Sequence, residues 1–105
     1  MAGNRKLRIA LGQLNLLVGD VAGNARRIVA AAERACGELD TDLLVLPELT
    51  LSGYPPEDLL LHRGFRIAIE KGMETVRSAQ AGCGFLVGFP EYAGSQIFNS
   101  AALIE

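Results

Sequence analysis

The sequence predicts an α/β domain in which short strands alternate with helices. Several stretches are apolar, contain branched residues and are bounded by Gly, Pro or polar residues, as buried strands are. Between them, two longer stretches repeat apolar residues every three or four positions, which is typical of helices that pack on one face. A strand, a helix and a second strand with short connections form a βαβ unit, so the first two strands are expected to be parallel. At 105 residues, the chain is long enough for one small domain.

The first half of the chain is expected to hold a strand, a helix and a second strand. "LRIALGQL" (residues 7–14) predicts a buried strand, and the loop after it contains two Gly breakers. Asn24 is predicted to cap a helix that runs to about Leu39. The apolar face of this helix is expected to consist of Ile28, Ala32, Ala35, Cys36 and Leu39. "DLLVLP" (residues 42–47) predicts the second strand.

The second half is expected to add two helices and a hairpin. "PEDLLL" begins a short helix with Pro56 at its first position, and a longer helix follows at about residues 64–80. The buried face of the longer helix is predicted to consist of Phe65, Ile69, Gly72, Met73 and Val76. "GFLVGFPEY" and "IFNSAALIE" are interpreted as antiparallel strands joined by the turn "AGSQ". The predicted order is therefore β-α-β-α-β-β.

Composition and charge argue against several classes of protein. The formal net charge of −2 favours neither a nucleic acid nor an anionic membrane as a partner, and no apolar run is long enough to span a bilayer. With one histidine (His62), two cysteines and no CxxC motif, the sequence predicts no metal site. So few cysteines suit a reducing, cytoplasmic setting, and Cys36 and Cys83 are interpreted as small structural residues.

Glu48 stands where the second predicted strand ends, directly after Pro47. In open α/β sheets, ligands bind at the carboxyl ends of the strands, and Pro47 helps to end the ladder because it has no N–H. Leu46, Leu49 and Leu51 are expected to desolvate the Glu48 carboxylate partly, which suits a general base. The residues alone leave a solvated loop carboxylate as the alternative interpretation.

Two amide side chains are expected near the same edge of the sheet. Gln13 ends the first predicted strand and is interpreted either as a partner of Glu48 or as a plain strand-terminal amide. Asn99, in "FNSAALI", is expected to hydrogen-bond to neighbouring backbone and to shape its strand near the site.

Three segments resemble the opening of the nitrilase, or carbon–nitrogen hydrolase, superfamily: "LRIALGQLNLLVGDVAGN", "DLLVLPELTLSGYPPEDLLL" and "FLVGFPEYAGSQIFNSAALI". Within that superfamily, "SGYPPEDLLL" resembles the amidase domain of the glutamine-dependent NAD synthetases. The resemblance implies an αββα sandwich, of which residues 1–105 are the first part (β-α-β-α-β-β), with the synthetase domain outside this chain. On this interpretation the chain is expected to be a fragment.

The resemblance also implies a chemistry. The family hydrolyses glutamine with a Glu–Lys–Cys triad and passes ammonia to a synthetase domain, where ATP and Mg activate nicotinic acid adenine dinucleotide for conversion to NAD. Glu48 matches the general base, and Tyr54 is expected either to line the glutamine pocket or to be a packed loop aromatic. No Lys or Cys here stands in the context of the other two triad members. The chain alone is therefore expected to be inactive and to hold no cofactor, and the parent protein to form homo-oligomers.

Two alternatives stay open. One is another branch of the superfamily that acts on a different small amide, although the continuation after Gly53 favours the NAD synthetase branch. The other is a non-catalytic structural or interaction module, which would need neither the Lys nor the Cys.

Overall fold

The computed structural model describes residues 6–105 and shows a single mixed sheet with helices packed on it. The elements follow one another as β1 (Ile9–Leu11), α1 (Val21–Glu38), β2 (Leu43–Val45), a 3₁₀ helix (Glu57–Leu61), α2 (Arg63–Arg77), β3 (Gly84–Ala93) and β4 (Gln96–Ile104). The predicted order β-α-β-α-β-β is confirmed, with the short helix before α2 being of the 3₁₀ type.

The four strands lie in the sheet in chain order, β1-β2-β3-β4. β1 runs parallel to β2 and β2 runs parallel to β3, as two successive crossover helices require. β3 and β4 form the predicted antiparallel hairpin. The carboxyl ends of β1, β2 and β3 therefore lie at one edge of the sheet.

The hydrophobic core lies between one face of the sheet and the two α-helices. The predicted face of α2 is confirmed, since all five of its residues are buried. On α1, Ile28, Ala32 and Ala35 are buried as predicted. Leu39 is 48% exposed, however, and its inclusion in the face was wrong because the helix ends at Glu38.

The other face of the sheet is apolar and lacks a covering layer among residues 6–105. Leu11, Val45 and Leu86 pair in one row across three strands, and Leu103 continues that row on β4. The prediction of a buried first strand was wrong for this chain, since Leu11 is 74% exposed and β1 has only three residues. β1 lies at the edge of the sheet, so its second side has neither a neighbouring strand nor a second layer within residues 6–105.

The start of α1 corrects the predicted cap. Asp20 caps the helix, with its carboxylate accepting from the Gly23 amide at 3.1 Å. Asn24 lies inside the helix and is 0% exposed. Its side chain forms hydrogen bonds to the backbone of two loops instead of capping the helix. Its side-chain amide donates to the carbonyls of Leu17 and Leu51, and its oxygen accepts from the Leu17 amide. Asn24 therefore ties α1 to the loops that follow β1 and β2.

Replacing Asn24 by Ala is expected to lower the free energy of unfolding by about 2–3 kcal/mol. The variant loses a buried bond to the Leu51 carbonyl and part-buried bonds to Leu17, and a buried group left without a partner costs roughly 1–3 kcal/mol. Urea unfolding followed by circular dichroism measures this change. Asn15→Ala, in the exposed loop after β1, is the control and should change stability by less than about 0.5 kcal/mol. Equal losses in the two variants would show that Asn24 does not hold the loops.

The two cysteines form a disulfide, which the sequence did not predict. Cys36, in the last turns of α1, is bonded to Cys83, directly before β3, and the two Cα atoms lie 5.5 Å apart. The interpretation of both as structural residues is confirmed, and the disulfide is the structural role that each of them has. The bond joins positions 47 residues apart in the sequence and ties α1 to β3.

Tyr92 attaches the far end of the hairpin to the rest of the domain. Its hydroxyl donates to the Leu60 carbonyl at 2.9 Å, and the Arg66 guanidinium lies 5.4 Å from the centre of its ring. Burial raises the pKa of the Tyr92 hydroxyl, and the positive charge of Arg66 opposes that rise.

Candidate active site

Glu48 lies in a loop that continues along β3 after β2 has ended at Val45. We call residues 46–53 the Glu48 loop. The Leu46 amide donates to the Leu86 carbonyl at 3.2 Å, and the Leu51 amide donates to the Gly88 carbonyl at 3.1 Å. These two bonds hold the loop against β3 on both sides of Glu48, at the carboxyl end of the parallel strands.

Short-range hydrogen bonds fix the shape of the Glu48 loop. The Thr50 hydroxyl donates to the Pro47 carbonyl, and the Gly53 amide donates to the Leu49 carbonyl at 3.0 Å. The Ser52 hydroxyl donates to the Gly53 carbonyl at 2.9 Å. The residues from Leu49 to Gly53 are buried, whereas Pro47 and Glu48 are exposed. The loop therefore presents Glu48 at the surface from a backbone that is fixed by its own bonds.

Gly53 allows the turn that closes the loop. Its φ is +78°, and a Cβ at this position would lie 2.7 Å from the Cα of Val18. The next residue, Tyr54, is 65% exposed, so it is not the packed loop aromatic that was one of its two interpretations. Its expected role in a glutamine pocket stays a prediction.

Gly88 on β3 is a further site residue, which was not predicted from the sequence. A Cβ on Gly88 would lie 2.6 Å from the Leu49 nitrogen and 3.1 Å from the Pro47 carbonyl oxygen. Only a residue without a side chain lets the Glu48 loop approach β3 this closely. The signal was present as a single Gly inside an otherwise regular strand pattern, which often marks a close backbone approach.

The carboxylate of Glu48 is solvent-exposed and accepts a hydrogen bond from the Asn99 side-chain amide, with 3.0 Å between Nδ2 and Oε1. The expected desolvation of Glu48 by its leucine neighbours was wrong for this chain. Leu46, Leu49 and Leu51 are all buried, and two of them belong to the main core cluster. Asn99 was expected to bond to backbone and bonds to Glu48 instead.

Gln13 is exposed and follows the end of β1 at Leu11. It lines an apolar groove of about 790 Å³ between β1 and α1, together with Leu14 and Arg27. The hydrogen bond that Glu48 accepts comes from Asn99 and not from Gln13. The structure therefore favours the interpretation of Gln13 as a strand-terminal amide.

The described residues hold no free thiol, because both cysteines are in the disulfide. Lys71 lies on α2, and Lys6 precedes β1. Within residues 6–105 there is no cluster of three or more His, Cys, Asp or Glu that could hold a metal ion. No helix in this part of the chain has the length and apolar character to cross a membrane.

The site thus presents a carboxylate at the carboxyl ends of the three parallel strands, and comparison with known proteins identifies the class of protein. The carbon–nitrogen hydrolase family model matches residues 8–105, so the chain belongs to the carbon–nitrogen hydrolase family. The glutamine-dependent NAD(+) synthetase of Xylella fastidiosa is 46% identical over 93% of this chain, and that of Thermotoga maritima is 37% identical over 96%. The chain spans 18% of the length of each of these relatives.

Solved structures confirm the nitrilase-like fold class. A glutamine-dependent NAD+ synthetase from Acinetobacter baumannii aligns with a TM-score of 0.86 and 29% identity, over 94% of this chain and 19% of that one. An amidase from Nesterenkonia sp. of the nitrilase superfamily aligns with a TM-score of 0.82 and 27% identity, over 94% and 38% of the two chains. Another structure of that amidase shows acrylamide added to the active-site cysteine. It aligns with a TM-score of 0.81 and 26% identity, over 93% of this chain and 39% of that one.

Proposed function

We propose that this chain forms the beginning of the glutamine-hydrolysing domain of a glutamine-dependent NAD synthetase, and that Glu48 is the general base of that domain. The observation that carries the proposal is the placement of Glu48. It is presented at the carboxyl end of the parallel strands by a loop whose backbone is bonded to β3 on both sides. The relatives named above, at 37–46% identity, support the choice of glutamine as substrate.

The proposed reaction divides the hydrolysis of the glutamine side-chain amide into two steps. Glu48 takes the proton of a cysteine thiol, and the thiolate attacks the amide carbon. A lysine stabilises the oxyanion, the proton passes to the departing ammonia, and water then hydrolyses the thioester to glutamate. The cysteine and lysine are proposed to lie in the part of the relatives' length that this chain does not span. Ammonia is proposed to pass to a synthetase domain that uses ATP and Mg.

The uncovered apolar face of the sheet supports the proposed αββα sandwich. The row from Leu11 to Leu103 would be buried by a second sheet, which is how two sheets form a common core about 10 Å thick. We further propose that the complete protein forms homo-oligomers through its sandwich domains. The low number of cysteines does not support the expected cytoplasmic setting once Cys36 and Cys83 are paired, because disulfides are rare in reducing compartments.

The test is to assay the gene product that carries this segment for NAD formation, with glutamine or with ammonium as the nitrogen donor. The proposal predicts NAD formation from both donors, and release of one glutamate for each NAD formed from glutamine. The isolated 105-residue chain is expected to release no ammonia from glutamine, because it holds no free thiol. Absence of glutamate release from the complete gene product would overturn the proposal.

A second candidate function is hydrolysis of another small amide. It is favoured by the alignment with the Nesterenkonia amidase, whose TM-score of 0.82 is close to the 0.86 of the NAD synthetase. Turnover of simple aliphatic amides without turnover of glutamine would support this alternative. A gene product that hydrolyses neither class of amide would favour a non-catalytic interaction module.

A further inference from the structure

Asn99 and Glu48 are 51 residues apart in the sequence, and their side chains are joined by a hydrogen bond in the structure. The donor is the Asn99 Nδ2 atom and the acceptor is the Glu48 Oε1 atom, 3.0 Å away. Asn99 lies on β4, opposite Pro90 of β3. A side chain of the hairpin thus reaches the loop that follows β2.

The backbones that carry the two side chains are both fixed. The Glu48 loop is bonded to β3 at Leu46 and Leu51. Asn99 lies within a continuous antiparallel ladder of β3 and β4, whose first pair is Phe85 with Ile104 and whose last pair is Ala93 with Gln96. Its own partner in this ladder, Pro90, is fully buried. Because both backbones are attached to β3, the fold itself brings the two exposed side chains within hydrogen-bonding reach of each other.

We propose that Asn99 is a positioning residue that orients the Glu48 carboxylate for proton transfer. An exposed glutamate without a partner samples several staggered rotamers. The bond from Asn99 holds Oε1, selects one side-chain orientation and leaves Oε2 free to take a proton. This inference rests on the proposed role of Glu48 as a general base.

An amide suits this task better than a cation. A lysine or arginine at position 99 would stabilise the ionised carboxylate and so weaken it as a proton acceptor. The neutral Asn99 amide donates a directed hydrogen bond without adding a full charge. A second side-chain bond in the same hairpin, from the Ser100 hydroxyl to Glu91 Oε1 at 2.8 Å, offers a matched control.

The first experiment tests the bond in this chain by following the Asn99 side-chain amide with ¹H–¹⁵N NMR. Glu48→Ala is expected to move the Asn99 amide signals toward those of the exposed Asn15, whereas Glu91→Ala should leave them in place. Asn99 signals that do not respond to Glu48→Ala would overturn the inference.

The second experiment measures glutamine-driven and ammonium-driven NAD formation in the complete gene product. Asn99→Leu and Asn99→Asp both remove the donor at similar size. They are expected to lower kcat with glutamine by roughly 10- to 100-fold while KM changes less than about 2-fold, because a misplaced group costs rate rather than binding. Asn99→Gln, which retains the amide, should restore part of kcat, and Ser100→Ala should leave the rate unchanged.

The two proposals fail in distinguishable ways. If Glu48→Gln abolishes glutamine use but the Asn99 variants retain full kcat, the positioning role is wrong and the proposed function stands. If Glu48→Gln itself retains glutamine use, the proposed base is wrong. Unchanged ammonium-driven activity and an unchanged thermal transition show that the Asn99 variants are folded, so that a loss confined to kcat with glutamine cannot be assigned to unfolding.

Discussion

Replacing Glu48 by Gln is expected to lower glutamine-driven NAD formation by roughly 10²- to 10⁴-fold, the range that a general base contributes. Glutamine has nearly the same shape as glutamate, and its carbonyl can still accept the bond from Asn99. It cannot take a proton from a thiol, however, so the nucleophile would not be activated. Because the Glu48 side chain is exposed, the substitution should leave the stability of the fold nearly unchanged.

The measurement compares the two nitrogen donors in the same variant of the complete gene product. Ammonium-driven NAD formation is expected to stay at the unmodified rate, because it bypasses glutamine hydrolysis. Glu91→Gln is the matched control, since Glu91 is also exposed and also accepts a side-chain hydrogen bond. Full glutamine-driven activity in Glu48→Gln, or equal losses with both donors, would contradict a role for Glu48 in glutamine hydrolysis.

The second large effect is expected at Gly88, where alanine should lower the free energy of unfolding by about 2–3 kcal/mol. A Cβ at this position would meet main-chain atoms of the Glu48 loop, with the Leu49 nitrogen 2.6 Å away. Backbone atoms cannot rotate aside as a flexible side chain can, so either the loop or β3 must move. In the complete gene product, this movement should also lower glutamine-driven activity, because it displaces Glu48 from the end of the sheet.

Thermal unfolding of this chain measures the effect, which corresponds to a drop in Tm of roughly 10–20 °C for a domain of this size. Gly64→Ala is the control, because a Cβ there would meet nothing within 4 Å. As alanine is the better helix former in α2, Gly64→Ala should leave Tm unchanged or raise it slightly. A Tm for Gly88→Ala equal to that of the unmodified chain would show that the close approach is not required.

Local patterns predicted the elements that depend on short-range chemistry. The spacing of Phe65, Ile69 and Val76 identified the buried face of α2, and "AGSQ" identified the turn of the hairpin. The order of strands and helices predicted the parallel pairing of β1 with β2, because two neighbouring strands joined by a crossover helix run in the same direction. The motif around Glu48 identified the family.

Other predictions failed where distant residues decide the outcome. Asn24 has the chemistry of a helix cap, but its amide is used by the backbone of Leu17 and Leu51, and Asp20 caps the helix instead. The pairing of Cys36 with Cys83 depends on how α1 packs beside β3, which spacing alone does not show. The exposure of β1 follows from its place at the edge of a sheet that, within residues 6–105, is covered by helices on one face only.

The sequence by itself determined the α/β class, the order of the elements, the family and the identity of Glu48 as the residue to examine. These follow from periodicity, turn residues and a local motif, which are properties of neighbouring positions. Only the tertiary structure showed that Gly88 accommodates the Glu48 loop and that Asn99 donates to Glu48. Gly88 meets Leu49, 39 positions earlier, and Asn99 meets Glu48, 51 positions earlier. Both contacts exist only because the sheet brings β2, β3 and β4 side by side.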